Sequence, residues 1–543
     1  MKAVKFLFYD AAQSAEIPGF LRLPRLQALP VRAIGQNGAS AGVGNLTNDL
    51  ALGASPASGN GAARALPVLA LSLGAILLVR ILGILFAGTD LHYEEARHWY
   101  LSLGIGGSFW TNPPVPPWLI GLTTSLCGDG AACMRLPSAV FSVAGGALAY
   151  GLAARLYDQR TALFAAVAVA TLPAISAFAM VAMPETILVF FVIAALWTLW
   201  VHIERPTLAS GLAFGLALGL GFMTDNAMGW LAACTVLYLV MVPRIRPVLA
   251  APGTWLAVAI ALVMVVPEIL ASFEMKAAEL SDFFRTGGRI LGRLEPDEAL
   301  AFGLLQFLLF GPIFLFVFLR SVVARYNLVP RNSADLFLLY HSVPVFVAIL
   351  IMSFFYQGTG HLTLPAYPAA AIFVTALLLR HGFRRLLLAS IGLHLAIMAA
   401  IIGLGIFARI APDLPAINRL VGWREFSEGL SRTASVSDVK TVVLRGGDQV
   451  YEALYYLRGS GLEIRAFNPR GRSPDNDVER QRSWAYGDAE TVLLATGRDP
   501  AAFGIPLSAV DKIGEFPVQS YLSDSGRFSL YRVNPPAENQ AAP

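Results

Sequence analysis

Eleven residues, Asp90-Leu-His-Tyr-Glu94-Glu95-Ala-Arg-His-Trp-Tyr100, bring three carboxylates, two histidines and three aromatic rings together. They follow directly on an apolar stretch, 66–87, that is long enough to cross a bilayer. Ionised groups at such a place cost several kcal/mol unless a polar cavity receives them. A carboxylate held in a cavity of that kind can take the proton of an attacking hydroxyl, which is general-base work. Asp90, Glu94 and Glu95 are therefore the candidate catalytic residues, against the plainer alternative of a solvated acidic loop.

Two further features complement the carboxylates. In the segment 273–299, Arg285, Arg289 and Arg293 recur every four residues, which stacks guanidinium groups on one face of a helix. Guanidinium binds phosphate in bidentate fashion. The alternative is pairing with Glu279, Asp282, Glu295 and Asp297 close by. The second feature is the polar turn Tyr356-Gln-Gly-Thr-Gly-His361 between two apolar runs. Tyr356 and His361 join His98, Trp99 and Tyr100 as candidate substrate contacts, although a loop histidine is more often simply solvated. Aromatic rings such as Trp99, Tyr100, Trp110 and Trp118 suit sugar stacking or the membrane interface. Carboxylates, cations and aromatics at one face fit the transfer of a sugar from a lipid-linked phosphate. The carboxylate would deprotonate the acceptor, and the arginines would stabilise the departing phosphate.

The elements that position these groups are membrane spans. The chain has 543 residues, 56% hydrophobic and 14% charged, with a mean hydropathy of +0.61. Soluble domains carry about 25% charged residues, so the chain reads as an α-helical polytopic membrane protein. About eleven spans are expected: 66–87, 135–156, 160–181, 184–203, 207–223, 228–243, 252–272, 300–320, 335–355, 362–379 and 385–408. With a cytoplasmic N-terminus, Arg155, Arg160, Arg205, Arg244, Arg246, Arg320, Arg325, Arg331, Arg380, Arg384 and Arg385 all fall in cytoplasmic connections. That orientation puts the acidic loop (88–134), the loop 273–299 and the C-terminal region outside the cytoplasm. The net charge of +4 comes from these loop arginines and is no sign of nucleic-acid binding.

Residues 1–65 contain no apolar run long enough for a span and read as a flexible cytoplasmic tail, or as an overlong start assignment. Residues 66–410 form the membrane core. From about 413 strand-like runs (Thr441–Leu444, Glu463–Phe467, Thr491–Ala495, Phe528–Val533) alternate with a helical pattern near 449–458, which predicts a small α/β domain over 413–535. Residues 536–543 read as a disordered tail. Cys127 and Cys133 lie six apart in an outer loop, either disulfide-bonded or as free thiols, and Cys234 lies within a span. No organic cofactor is suggested by the residues, and a divalent metal is left open.

The stretch from Asp90 to Pro137 resembles the first outer loop of the GT-C type of polyprenyl-phosphate-dependent glycosyltransferases. That group includes aminoarabinose transferases, lipopolysaccharide galacturonosyl transferases and protein-O-mannosyltransferase-like enzymes. The resemblance rests on Glu94-Glu95-Ala96-Arg97-His98-Trp99-Tyr100, Pro113-Pro114, Gly128-Asp129 and Arg135-Leu136-Pro137, with weaker echoes at Met183-Pro184-Glu185 and Leu364-Pro-Ala-Tyr-Pro368. It implies an enzyme of the bacterial inner membrane with its active site on the outer face. Such an enzyme moves a sugar from a polyprenyl-phosphate donor to a cell-envelope lipid, polysaccharide or protein acceptor. Three positions depart from the family's pattern. Glu94 stands where the family has Asp, Asn112 where a basic residue often precedes Pro-Pro, and Asp225 about where a lysine is usual. The phosphate would then rely on Arg285, Arg289, Arg293 and Asn112, or the chain takes an altered donor, or it has lost activity. A transporter or flippase of lipid-linked sugars is the alternative. The absence of internal repeats, the paired carboxylates at one face and the appended domain weigh against it.

Overall fold

The computed structural model describes residues 59–104, 113–271, 296–323, 332–355, 359–410, 414, 418–472, 474, 476–488, 490–517 and 527–536. Apolar runs become helices because a backbone in hydrocarbon must satisfy its own hydrogen bonds. Among the described residues, seven helical stretches are long and apolar enough to cross a membrane, or up to nine if each of two bent helix pairs is one span. The chain is a multi-pass membrane protein.

In order the helices are α1 (Gly59–Leu85), α2 (Tyr93–Ser102), α3 (Val115–Cys127), α4 (Ala131–Leu156), α5 (Gln159–Thr171), α6 (Pro173–Phe178), α7 (Pro184–Glu204), α8 (Leu208–Phe222), α9 (Met228–Met241) and α10 (Pro252–Ala271). There follow α11 (Pro296–Leu309), α12 (Pro312–Val323), α13 (Ser333–Tyr340), α14 (Val343–Ser353), α15 (Tyr367–Arg380) and α16 (Arg384–Ile406). The outer loop 88–134 holds α2 and α3. The expected spans 160–181 and 207–223 fall on the shorter helices α5–α6 and α8. The stretch 300–320, expected as one span, is instead two helices meeting at 117°. The cause is local: Gly311 turns the chain at φ +90°, and Pro312 starts the next helix. A side chain at Gly311 would also run into the His394 ring of α16.

Helices α8 and α10 approach backbone to backbone. Any Cβ at Gly211 would fall on the main chain of Gly253, so glycine is required there. Proline also breaks the α5–α6 run, at Pro173. The freed end of α5 is capped from α1, because the fully buried Arg80 donates from Nη2 to the Ala170 carbonyl at 2.6 Å and from Nη1 to Ser142 Oγ at 2.6 Å.

Beyond α16 come α17 (Trp423–Val436), β1 (Thr441–Leu444), α18 (Gly447–Tyr456), β2 (Glu463–Phe467), α19 (Asp477–Gln481), β3 (Ser483–Trp484), β4 (Val492–Thr496), β5 (Val510–Pro517) and β6 (Arg527–Val533). The strand order is β3-β2-β1-β4-β6-β5. The first four are parallel, with Val442 beside both Ile464 and Leu493, and β6 and β5 are antiparallel. One face of this sheet buries Val442, Leu444, Ile464 and Leu493 together with α17 and α18, and the same apolar cluster takes in Leu91, Ala96, Trp99 and Tyr100 of the first outer loop. Large apolar side chains contribute about 1.5–3 kcal/mol each on burial. The sheet and the acidic loop thus share one core.

Candidate active site

Helix α2 begins at a capping box. His92 Nδ1 accepts the Glu94 N–H at 3.3 Å, and Glu95 Oε2 accepts the His92 N–H at 2.8 Å. Successive helical residues point about 100° apart, so the adjacent carboxylates of Glu94 and Glu95 meet different surroundings.

Glu95 is fully buried. It takes Arg135 Nε at 2.8 Å on Oε1 and Nη2 at 2.9 Å on Oε2, and Oε1 also accepts the Ala182 N–H at 2.7 Å. Burial alone would raise its pKa, but Arg135 outweighs it and holds the carboxyl below the usual range. Arg135 itself reaches Thr89 Oγ1 at 2.9 Å and the Asp90 carbonyl at 2.8 Å. With four hydrogen bonds accepted, Glu95 has little capacity left for a substrate.

Asp90 is also committed. Its Oδ2 accepts the N–H groups of Gly422, Trp423 and Arg424 at 2.9, 3.1 and 3.4 Å, which caps α17 from the far end of the chain. Arg409 pairs with Oδ1 at 3.5 Å. Burial nevertheless pushes the Asp90 carboxyl above its ordinary range.

Glu94 differs from both. Its side chain is 25% exposed and pairs with Arg97 at 3.0 Å. Burial pushes its pKa up, but Arg97 and His98 outweigh this and bring it below the usual value. It stays an ionised carboxylate in solvent contact. Burial lowers the His98 imidazole to about 4, leaving it neutral at neutral pH, and its Nδ1 has no hydrogen-bond partner.

Two further carboxylates face Glu94. Glu185, in the first turn of α7, lies within the field of both Glu94 and Asp225, and its Oε2 is unpartnered. Asp225, in the turn before α9, accepts the Ala227 N–H at 2.6 Å. Burial raises its carboxyl, with Glu94 adding to the shift and His361 opposing it. The first turn of α3 is tied to this region, since the Val115 N–H donates to the Met223 carbonyl at 2.9 Å. His361 stands on the 3₁₀ helix Thr359–Ala366, which is fixed to α11 by Thr363 Oγ1 donating to Gln306 Oε1 at 2.9 Å and Gln306 Nε2 donating to the Gly360 carbonyl at 3.3 Å. Among the described residues no three His, Cys, Asp or Glu side chains are placed to hold a metal ion.

The structure brings Glu94 and His98 together and adds Glu185 and Asp225, with His361 beside Asp225; the sequence marked Glu185 and Asp225 only as a family echo and as a missing cation. An acidic residue just after the apolar turn at Met183-Pro184 was the available signal for Glu185. Trp99 and Tyr100, expected to face substrate, are instead 4% and 1% exposed. Trp99 Nε1 donates to Asp129 Oδ1 at 3.0 Å and its ring lies edge-on to Tyr455, and the Tyr100 hydroxyl donates to Gln481 Oε1 at 2.8 Å. They join the loop to the sheet region, because an apolar helix face seeks the nearest apolar partner. Asn112, Arg285, Arg289, Arg293 and Tyr356 lie outside the described residues. Cys127 and Cys133 form a disulfide, and Cys234 is a buried free thiol.

Residues 111–270 match the family model of the dolichyl-phosphate-mannose-protein mannosyltransferases. The lipid A galacturonosyltransferase RgtD of Rhizobium johnstonii is 24% identical over 77% of this chain and 88% of its own length. An undecaprenyl phosphate-alpha-4-amino-4-deoxy-L-arabinose arabinosyl transferase of Pseudomonas paraeruginosa is 30% identical over 33% of this chain and 34% of its own length. In three dimensions the chain is similar to ArnT of Cupriavidus metallidurans. The apo structure has a TM-score of 0.57 at 15% identity, over 86% of this chain and 98% of ArnT. The structure bound to undecaprenyl phosphate has a TM-score of 0.56. The motifs of the acidic loop, the matched segment and the relatives agree, and all support a polyprenyl-phosphate-dependent glycosyltransferase similar to the GT-C type.

Proposed function

We propose that this enzyme moves a sugar from an undecaprenyl-phosphate-type donor to a cell-envelope acceptor, with Glu94 as the general base. The observation that carries the role of Glu94 is a contrast of environments. Of the three clustered acidic residues Asp90, Glu94 and Glu95, only Glu94 keeps a partly exposed side chain while its pKa is held below the usual range. In the reaction an acceptor oxygen bonds to the anomeric carbon, and the bond from that carbon to the phosphate oxygen breaks. The phosphate leaves with the electron pair, and the acceptor proton passes to the Glu94 carboxylate. The phosphate is held in this reading by Arg285, Arg289 and Arg293, and His361 contacts the substrate. The relatives favour a lipid acceptor, since one acts on lipid A.

The reading places the site on the periplasmic face of the inner membrane, with the N-terminus cytoplasmic and the sheet region (413–535) outside. The arginine asymmetry of the connections supports this, as does the Cys127–Cys133 disulfide beside the site, since disulfides persist in oxidising compartments. The direct test is sugar transfer in proteoliposomes from a synthetic undecaprenyl-phosphate sugar. Wild-type protein should turn over and Glu94→Gln should not. Turnover by Glu94→Gln near the wild-type rate would move the base elsewhere. A reporter active only in the cytoplasm, fused after Gln540, should stay silent, and a strong signal would invert the topology.

A further inference from the structure

Helix α18 meets the acidic loop along one face, and its contacts recur at helical spacing. The Tyr451 and Tyr100 rings lie with centroids 5.7 Å apart. The Tyr455 hydroxyl donates to the Asp129 carbonyl at 2.7 Å, and the Tyr456 hydroxyl accepts the Leu91 N–H at 2.9 Å. Glu452 has Tyr455 and Tyr456 at its i+3 and i+4 positions, so it stands on that same face. It is 0% exposed, and among the described residues neither of its carboxyl oxygens has a hydrogen-bond partner.

Charge surrounds this carboxyl. Asp90 and Glu95 face it from the loop and α2, Arg135 from α4, and Asp448 from the preceding turn of α18. Arg135 is the one cation of the four, and two hydrogen bonds already commit it to Glu95. From α17 come Arg424, over the Tyr456 ring, and Glu425, in the field of Asp90. From α19 comes Asp477, in the field of Tyr451, while Glu463 and Arg465 of β2 pair with each other. Burial pushes the Glu452 carboxyl well above its ordinary 4.5, and Glu95, Asp90 and Asp448 add to the shift.

Packing gives no reason for a carboxyl at this place. A buried polar group without a partner carries its full desolvation penalty, and an apolar side chain of like volume would fill the space without it. What the carboxyl adds is a charge that depends on one proton. With the proton in place, α18 rests on the loop. With the proton given up to water, a bare charge faces Glu95 and Asp90 in a site without solvent, and burial cannot be sustained. Glu95 closes the capping box from which Glu94 projects, and Asp90 holds the start of α17. A displaced α18 therefore disturbs the turn that aims Glu94.

We propose that Glu452 is a positioning residue whose neutral carboxyl locks the sheet region onto the turn carrying Glu94, and that loss of its proton opens the lock. The catalytic consequence rests on the glycosyltransferase reading. Between the ordinary and the raised pKa, the folded chain keeps a proton that the unfolded chain has lost. The stability tied to Glu452 is therefore full below 4.5 and is lost as pH rises toward the raised value. The test follows full-length wild-type, Glu452→Gln and Glu452→Met proteins from neutral to alkaline pH. One readout is the initial rate of transfer from a synthetic undecaprenyl-phosphate sugar in proteoliposomes. The other, in detergent, is protease cleavage between α16 and β1. Each pH unit beyond the titration leaves about tenfold fewer neutral carboxyls, so the wild-type rate should fall by about tenfold or more from its neutral value. Cleavage should quicken over the same range. Each uncharged variant should keep its alkaline rate within about twofold of its own neutral rate, since it has no proton to lose. Where one variant folds poorly, the other decides, and failure of both to fold would overturn the proposal. So would a wild-type rate that falls no more steeply than theirs. Wild-type protein that transfers no sugar at any pH would overturn the glycosyltransferase reading instead, and the cleavage profiles alone would then decide the lock.

Discussion

Glu94 and Glu95 are neighbours in sequence, and their replacement should fail in opposite ways. Glu95 accepts four hydrogen bonds in a site without solvent, two from Arg135 and one each from the Ala182 and His92 amides. Removing one partner of a buried ion pair costs about 3–5 kcal/mol, because the other charge stays behind uncompensated. Arg135 would keep Thr89 Oγ1 and the Asp90 carbonyl, which places Glu95→Ala toward the lower end of that range. Against a typical total of about 5–15 kcal/mol for a folded domain, this is a large fraction. Glu94 pairs with a partly exposed arginine and hydrogen-bonds with the neighbouring Tyr93, the ion pair being worth about 0–1 kcal/mol, so Glu94→Gln should be close to wild type in stability. Its transfer rate should fall by about 10²–10⁴-fold, the usual contribution of a positioned base. Thermal unfolding in detergent and initial transfer rates, measured on both variants, give a two-by-two outcome. A Glu95→Ala protein as stable as wild type would refute the buried-pair argument. An unstable but fully active Glu94→Gln protein would reverse the two roles.

Other expectations follow from the same geometry. Asp90→Ala removes the acceptor that caps α17 and should cost about 0.5–2 kcal/mol, read as earlier protease cleavage between α16 and β1 with catalysis by the intact fraction unchanged. His98 is held at about 4, below its ordinary 6.5, by burial. The unfolded chain therefore takes up the proton first as pH falls, so stability is full above about 6.5 and is lost progressively toward 4. In His98→Gln that part of the pH dependence should disappear from the unfolding curve. Gly311→Ala meets both a positive φ and the His394 ring, and should destabilise by about 1–3 kcal/mol. An unchanged melting temperature would mean that the α11–α12 corner relaxes freely.

The sequence carried the membrane architecture well because the signal is local. A run of some twenty apolar residues such as 184–203 can hardly do anything but form a helix, and α7 covers Pro184–Glu204. Four strands of the sheet region were legible from alternation and turns, but β3, β5 and α17 were not. β3 is two residues long and owes its existence to its pairing with Ala466 and Phe467. The corner at Gly311 stands in the sequence as a Gly-Pro pair, but the apolar run continues through it and reads as one span. The site was half legible. Three clustered acids and the family motifs pointed to the loop, but nothing local distinguishes the carboxylate that works from the two that hold the fold. That distinction comes from partners 40 to 334 residues away, Arg135 for Glu95 and the α17 amides for Asp90. Glu185 and Asp225 join Glu94 only through the packing of α7 and α9.

The shared core of the acidic loop and the sheet has a consequence for how the enzyme is made. Helix α2 emerges from the ribosome early, yet Gln481, which accepts the Tyr100 hydroxyl, follows 381 residues later. At about 5–20 residues per second that interval is roughly 20–75 s. During it the nascent loop has Leu91, Trp99 and Tyr100 without the apolar surface that finally covers them. A chain whose synthesis stops early therefore lacks the apolar surface that covers Leu91, Trp99 and Tyr100, and its catalytic helix stays incomplete.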